Sequence, residues 1–227
     1  MIIITGASRG IGKFLFEKFS EQGNDVIGIF NSTKPEVTKP NSMYMVDITD
    51  FKQVGDFFTT IKDRLHEVVL INSAGANYSG FAHKANMELW KKTVNINLFG
   101  TFHMIHHALN VMRVENWGRI VNFSSVVAQM SIPGTSAYAA SKSALWGLSK
   151  AIAAESASKG ITINTLNLGY FNIGMITEVT PEMQEIIKAK IPVGQFGDPH
   201  NIFEAIKFII QAPYLTGASI DINGGIR

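Results

Sequence analysis

Short runs of consecutive apolar residues alternate along the chain with longer stretches whose apolar positions recur every three or four residues. The continuous runs are Ile2 to Thr5, Asp25 to Phe30, Ser42 to Ile48, Val68 to Asn72, Arg119 to Ser124, Thr162 to Asn167 and Ser219 to Ile222. Four to eight residues without regular polar alternation are what a strand covered on both faces requires. Between them lie amphipathic stretches such as Ile11, Leu15 and Phe19, closed by Gly23, which read as helices. Seven strands alternating with helices predict one doubly wound α/β domain over residues 1–227, with a seven-stranded parallel sheet flanked by helices. Only Asn31 to Asn41 separates the second strand from the third, and it contains Pro35 and Pro40. A full crossover helix barely fits there, so a loop or at most one helical turn is expected.

Composition narrows the picture mainly by exclusion. A chain of 227 residues, 46% hydrophobic with 20 Gly and 7 Pro, suits an α/β domain with tight turns between strand and helix. A net charge of +2 is too mild to argue for nucleic acid. No cysteine is present, which excludes disulfides and thiolate metal sites. The apolar start, Met1 to Thr5, has no basic segment before it and breaks at Gly6, so it reads as a buried strand and not as a secretion signal. No apolar run approaches the roughly 20 residues that span a bilayer. The expectation is a cytoplasmic protein with no membrane partner.

Two stretches carry chemistry. Thr5-Gly6-Ala7-Ser8-Arg9-Gly10-Ile11-Gly12 follows the first strand and opens the first helix. Small residues there let backbone amides approach a pyrophosphate, and the helix N-terminus adds positive dipole. The spacing is Gly-x-x-x-Gly-x-Gly, without the Lys-Ser/Thr of a nucleotide triphosphate loop. Further on, Val121-Asn122-Phe123-Ser124-Ser125 delivers a hydroxyl at the end of a strand, and Tyr138 and Lys142 follow four residues apart on a helix. That spacing puts phenol and ammonium on one face, one turn apart. Reduction of a ketone by hydride needs a proton donor at the carbonyl oxygen, and a phenol near pKa ~10 needs a cation to stabilise its phenolate. Taken alone, a Tyr-x-x-x-Lys is as readily a solvated helix face.

With these motifs in order, the sequence resembles the short-chain dehydrogenase/reductase family, and especially its branch of 3-oxoacyl reductases that act on carrier-protein thioesters. The matching elements are Thr5 to Gly12, Asp47, Asn72 to Gly75, Asn97 to Gly100, Ser125, Tyr138 with Lys142, Ile191 to Gly194, and Leu215 to Gly217 leading to Gly224-Gly225. The resemblance implies a Rossmann-like fold binding NAD(P), with a substrate lid at about residues 170–193. It implies Tyr138 as general acid in reduction, Lys142 lowering its pKa and touching the nicotinamide ribose, Ser125 holding the substrate oxygen, and Asn97 holding a water for reprotonation. Ser124 competes with Ser125, but strand alternation puts the two on opposite faces, so only one can serve. Cofactor contacts are expected from Gly6, Ser8, Arg9, Gly10, Ile11, Gly12, Asn31, Ser32, Asp47, Ile48, Asn72, Ala74, Gly75, Tyr138, Lys142, Gly169, Phe171 and Ile173. Asp47 would bond the adenine amino group, or else belong to the cap of the next helix together with Thr49 and Asp50.

The end of the second strand decides the cofactor. A chain selective for NAD carries an acid there to bond the ribose hydroxyls, whereas this one reads Asn31-Ser32-Thr33-Lys34, and Asp25 sits at the other end of the strand. Arg9 resembles the arginine that binds the 2′-phosphate in NADP-dependent relatives, with Ser32 or Lys34 assisting. NADP(H) is therefore preferred, with NAD(H) as the alternative. The family pattern Pro-Gly-x-x-x-Thr is replaced by Leu168-Gly169-Tyr-Phe-Asn-Ile173, and Ser73 stands where a second asparagine is usual. Backbone around Phe171 and Ile173, or the Asn172 side chain, would then hold the carboxamide.

The apolar positions Met175, Ile176, Val179, Met183, Ile186 and Ile187 fit either a lid over a greasy substrate or ordinary helix packing. His103, His106 and His107 share a helix face, but with no cysteine and no nearby acid they are expected to form a subunit face and not a metal site. Leu145, Leu148 and Ile152 fit core or interface packing. The resemblance implies a homotetramer or homodimer. Arg113, Arg119 and Lys159 are candidates for docking an acidic acyl carrier protein, with Glu115 between the first two. Three functions follow: reduction of a 3-oxoacyl thioester by NADPH, reduction of a specialised ketone or keto-sugar, or a cofactor-binding regulator without catalysis.

Overall fold

The computed structural model describes residues 1–226 apart from Lys34, Val37, Thr38 and Ser131. Seven strands are β1 Ile2–Thr5, β2 Val26–Phe30, β3 Met43–Met45, β4 Val69–Asn72, β5 Gly118–Ser125, β6 Ile161–Leu168 and β7 Ser219–Ile222. They form one sheet in the order β3-β2-β1-β4-β5-β6-β7, all neighbours parallel. The helices are α1 Gly10–Glu21, α2 Phe51–Thr60, α3 Met87–Val94, α4 Thr101–Glu115, α5 Ser136–Ser156, α6 Pro181–Lys188 and α7 Pro199–Gln211.

Alternation along each strand divides the core into two layers. Ile3, Leu70, Ile120 and Ile163 face the side covered by α2, α4 and α5, where Phe57, Met104, Ile105 and Ile152 pack. Ile2, Ile4, Ile71, Val121 and Leu166 face the side covered by α1 and α7, against Phe16, Phe19, Ile202 and Phe203. A parallel sheet buried on both faces is the reason its strands read as continuous apolar runs.

The third strand is three residues long, shorter than the Ser42 to Ile48 run suggests. It pairs on one side only, with β2 at Gly28 to Phe30, so nothing extends it as an edge. The Val46 amide still donates to the Phe30 carbonyl at 2.8 Å, and Val46 and Ile48 are buried as core. The short connection before β3 contains a single 3-10 turn, Pro40–Ser42; part of that connection, including Lys34, lies outside the described residues.

The chain runs β1, β2, β3 outward in one direction and restarts from β4 in the other. The carboxyl ends of β1 and β4 therefore flank a crevice where the strand order reverses, the place where open α/β sheets bind ligands. Thr5, Asn72, Ser125 and Leu168 end their strands on that side.

Candidate active site

The crevice is built first by β1 and the start of α1. Several helix starts in the chain are closed by side chains: Asp50 caps α2, Asn86 caps α3, Thr180 caps α6 and Asp198 caps α7. Helix α1 is different. Arg9 at its cap position makes no side-chain capping bond and no acid lies in the first turn, so its leading amides are left for an anion. Gly6 lets β1 approach β4 closely, since a Cβ there would lie 2.8 Å from the Ala74 Cα, and a Cβ on Gly12 would overlap the Gly6 carbonyl. The Thr5 hydroxyl accepts from the amides of Ser73 and Ala74 at 3.1 and 3.0 Å, tying the glycine loop to the loop after β4.

Ser125 ends β5, and its oxygen accepts from the Val127 amide at 3.2 Å. Ser124 points to the other face, where its hydroxyl donates to the Lys142 carbonyl at 2.9 Å. Ser125 alone is within hydrogen-bond reach of Tyr138. Tyr138 and Lys142 share one face of α5, with the lysine Nζ 5.8 Å from the tyrosine ring centroid. Lys142 is only 5% exposed and donates to the Phe123 carbonyl at 2.7 Å. Burial lowers its pKa from the ordinary 10.5 to about 8.

Burial pushes the Tyr138 phenol up, opposed in part by the hydrogen bond from Ser125 and reinforced by nearby Tyr170. This is opposite in direction to the lowering that the resemblance implies. The physical reason is local: the ammonium is directed at the Phe123 carbonyl and the phenol is deep in apolar surroundings, so the neutral form is favoured.

Asn97 lies in a π-helical turn, Asn95–Gly100, between α3 and α4, an irregularity frequent at functional sites. Its Oδ1 accepts from the Ala76 amide at 2.8 Å, and its Nδ2 donates to the Ala76 carbonyl and to Ser141 Oγ. Ser141 Oγ donates in turn to the Tyr138 carbonyl. Above Gly75, Asn97 Oδ1 and Lys142 Nζ converge: a Cβ on that glycine would sit 3.4 Å from each. Beneath the site a buried polar chain, Asn72 to Asn122 to Ser149 to Thr165, fastens α5 to three strands.

The structure thus brings Gly6, Ser8, Gly10, Ile11 and Gly12 together with Asn72, Ala74, Gly75, Asn97, Ser125, Tyr138 and Lys142 at one end of the sheet. Asn31 and Ser32 follow β2 on the same end and are exposed. Asp47 is half-buried, and one of its oxygens accepts from the amide and hydroxyl of Thr49; the cap of α2 is Asp50. Ile48 is core, and its carbonyl accepts from His103 Nδ1 at 2.9 Å, so its side chain is turned away from the crevice. Gly169 packs on Asn223. Phe171 is buried with its ring on Gly197, and Ile173 packs on the α1 side of the core. Only their backbone remains for a ligand. The Asn172 side chain is exposed and its amide donates to the Gly197 carbonyl.

One expectation is corrected. Arg119 does not face a carrier protein: it is 6% exposed, donates to the carbonyls of Ile210, Gly118 and Gly160, and stands at the start of β5. Arg113 and Lys159 are at that same amino-terminal end of the sheet, opposite Ser125. The segment after β6 divides between its two readings: Ile176 is buried and Ile187 packs against Val126 and Ile191, whereas Met175, Met183 and Ile186 are exposed. The three histidines gather around the Phe51 ring. His103 bonds Ile48, and His107 lies beside Gly55 and stacks on Phe58. In the sequence Thr5 stands only as the first residue of the glycine motif, and the tie its hydroxyl makes and the part of Ser141 beside Asn97 come from the structure.

The family model for short chain dehydrogenases matches residues 1–184. The chain belongs to that family. It is 32% identical to the 3-oxoacyl-[acyl-carrier-protein] reductase FabG of Vibrio cholerae, over 99% of this chain and 96% of the relative. It is 33% identical to the acetoacetyl-CoA reductase of Rhizobium meliloti, over 98% and 96%. A crystal structure from Agrobacterium tumefaciens, of a protein assigned as a gluconate dehydrogenase, superposes with a TM-score of 0.90 at 24% identity, covering all of this chain and 95% of the other, and shows the shared fold. The short-chain dehydrogenase is therefore an oxidoreductase, and the family implies a nicotinamide cofactor. The uncapped start of α1, the close glycines and the buried Lys142 fit such a group. Among the described residues, no helix is long and apolar enough to cross a membrane.

Proposed function

We propose that this chain is a cytoplasmic, NADPH-dependent reductase that converts an apolar ketone to a secondary alcohol, with a short 3-oxoacyl thioester as the leading substrate. The observation carrying this reading is the convergence of Ser125, Tyr138 and Lys142 at the open end of α1. Residues 1–227 act as one cofactor-binding domain, with residues 170–193 as the lid.

Bound NADPH supplies a hydride to the carbonyl carbon. Tyr138 gives its proton to the carbonyl oxygen, and a phenol held protonated by burial is loaded for that task at neutral pH. The same burial makes it a weak acid, so the phenolate left behind needs the Lys142 ammonium beside it. Ser125 donates to the substrate oxygen as negative charge develops there. The gap above Gly75, between Asn97 Oδ1 and Lys142 Nζ, suits a water that returns the proton to the tyrosine. A positioned proton donor of this kind is worth about 10²–10⁴ in rate.

The case for NADPH is Arg9 together with the missing acid after β2. An apolar patch beside Ser125, made of Val126, Val127, Met130, Phe196 and Ile187 of α6, suits a greasy acyl group. Arg119 is buried and Arg113 and Lys159 lie at the far end of the sheet, which favours a substrate free in solution or on coenzyme A over one delivered by a carrier protein. Assembly as a homotetramer or homodimer goes with the exposed face around α4, where Phe99 and Phe102 are exposed and His106 lies against both Phe51 and Phe102.

The test is NADPH oxidation with acetoacetyl-coenzyme A, the corresponding carrier-protein thioester, and a panel of cyclic, aromatic and sugar ketones, repeated with NADH. Turnover of the coenzyme A thioester, faster with NADPH, is expected. Activity confined to sugar ketones would overturn the substrate reading, and equal rates with NADH would overturn the cofactor reading.

A further inference from the structure

Arg9, the residue assigned above to the 2′-phosphate, already has an anionic neighbour. Its Nη1 lies 3.8 Å from Glu178 Oε1, and the two side chains are 75% and 71% exposed. Glu178 ends the 3-10 turn Gly174–Glu178 that leads into α6. The base of this segment rests on the cofactor loop itself: a Cβ on Gly10 would lie 3.2 Å from the Gly174 Cα. Gln184 of α6 donates through Nε2 to the carbonyls of Ile176 and Val179, which bracket Glu178. The carboxylate is thereby tied to α6 and moves with it. Helix α6 has no fully buried side chain; Ile187 packs in part against Val126 and Ile191, Lys188 lies over the Phe196 ring, and the Arg9 pair adds a tie through Glu178.

From these contacts we infer that Glu178 is a cofactor-discriminating residue, a latch that competes with the 2′-phosphate of NADPH for Arg9 and couples the choice of cofactor to the position of the lid. The inference rests on the reading of Arg9 as the phosphate ligand. A 2′-phosphate carrying close to two negative charges and a carboxylate on the same guanidinium repel one another. Either Glu178 leaves and α6 is released, or both anions share Arg9 and NADPH is held less tightly. NADH, which has no such phosphate, leaves the pair undisturbed. An exposed ion pair is a weak one, and a weak latch can be displaced by a physiological ligand.

The test is a double-mutant cycle on the full-length protein, reading the Kd of NADPH and of NADH by fluorescence titration at low salt. Glu178→Gln keeps the shape and removes the charge. It should tighten NADPH about two- to fivefold, the range an exposed pair supports, leave NADH within experimental error, and have no effect once Arg9 is alanine. The gain should shrink as salt is raised. If Arg9→Ala weakens NADPH selectively while Glu178→Gln changes nothing, or changes both cofactors alike, the latch is wrong and the phosphate reading stands. If Arg9→Ala weakens both cofactors equally, the phosphate reading falls and the latch with it.

Discussion

Replacing Lys142 by methionine separates what the site costs the fold from what it does for the chemistry. Methionine keeps an unbranched side chain of similar length and removes the charge. In the folded protein the Lys142 pKa is lowered to about 8 by burial, against an ordinary 10.5. The unfolded chain therefore binds the extra proton between those values, and stability must rise with pH across that window. The whole difference, 10.5 minus about 8, corresponds to about 3 kcal/mol. Below pH 8 this penalty is present in full; by pH 9.5 about 2 kcal/mol of it has been relieved. The assay is urea unfolding of both proteins at pH 7, 8, 9 and 9.5, taking wild type minus Lys142→Met at each pH. Subtraction removes the contribution of the Met1 α-amino group, whose pKa burial lowers from the ordinary 8.0, and the bond to Phe123 lost in the variant adds only a constant offset. The difference should rise by about 2 kcal/mol from pH 7 to 9.5. A flat difference would mean that Lys142 is not a buried cation, and the reasoning that links it to Tyr138 would fail.

The two serines at the end of β5 should separate cleanly. Ser125→Ala should lower kcat about 10²–10³-fold, whereas Ser124→Ala, which loses its bond to the Lys142 carbonyl, should cost about 1 kcal/mol of stability and leave kcat within a few-fold. Kinetics and urea melts of both variants check this, and the reverse pattern would reassign the hydroxyl. Thr5→Val leaves two amides of the β4 loop without their acceptor. It should destabilise by about 1–3 kcal/mol and weaken cofactor binding, and an unchanged melt would show that the tie between the two loops is dispensable.

Much of this architecture could be read from apolar runs, because a strand buried on both faces leaves an unbroken signature. Ile2 to Thr5 and Ser219 to Ile222 match observed strands residue for residue, and the others except β3 shift by one position at one or both ends. The run from Ser42 to Ile48 misled, since Val46 and Ile48 are apolar for burial as core and not for pairing. Ser125, Tyr138 and Lys142 were legible as a spacing, and the direction of the Tyr138 shift was not: it depends on where the lysine Nζ points, which spacing does not encode. Arg119 looked like a surface charge, but three backbone carbonyls at the base of the sheet hold it. The Asn72-Asn122-Ser149-Thr165 chain was invisible for a related reason, as its members come from four separate elements. The Arg9 and Glu178 contact joins residues far apart in sequence, and only folding brings them side by side.

The central claim is that Tyr138 delivers the proton in an NADPH-dependent ketone reduction. Its most direct test is the Tyr138→Phe protein, assayed for acetoacetyl-coenzyme A reduction and for NADPH binding side by side. Turnover should fall at least about 100-fold with the NADPH Kd within about twofold of wild type, because the hydroxyl is removed and the ring is retained. Turnover within a few-fold of wild type, in a protein that still binds NADPH, would contradict that claim.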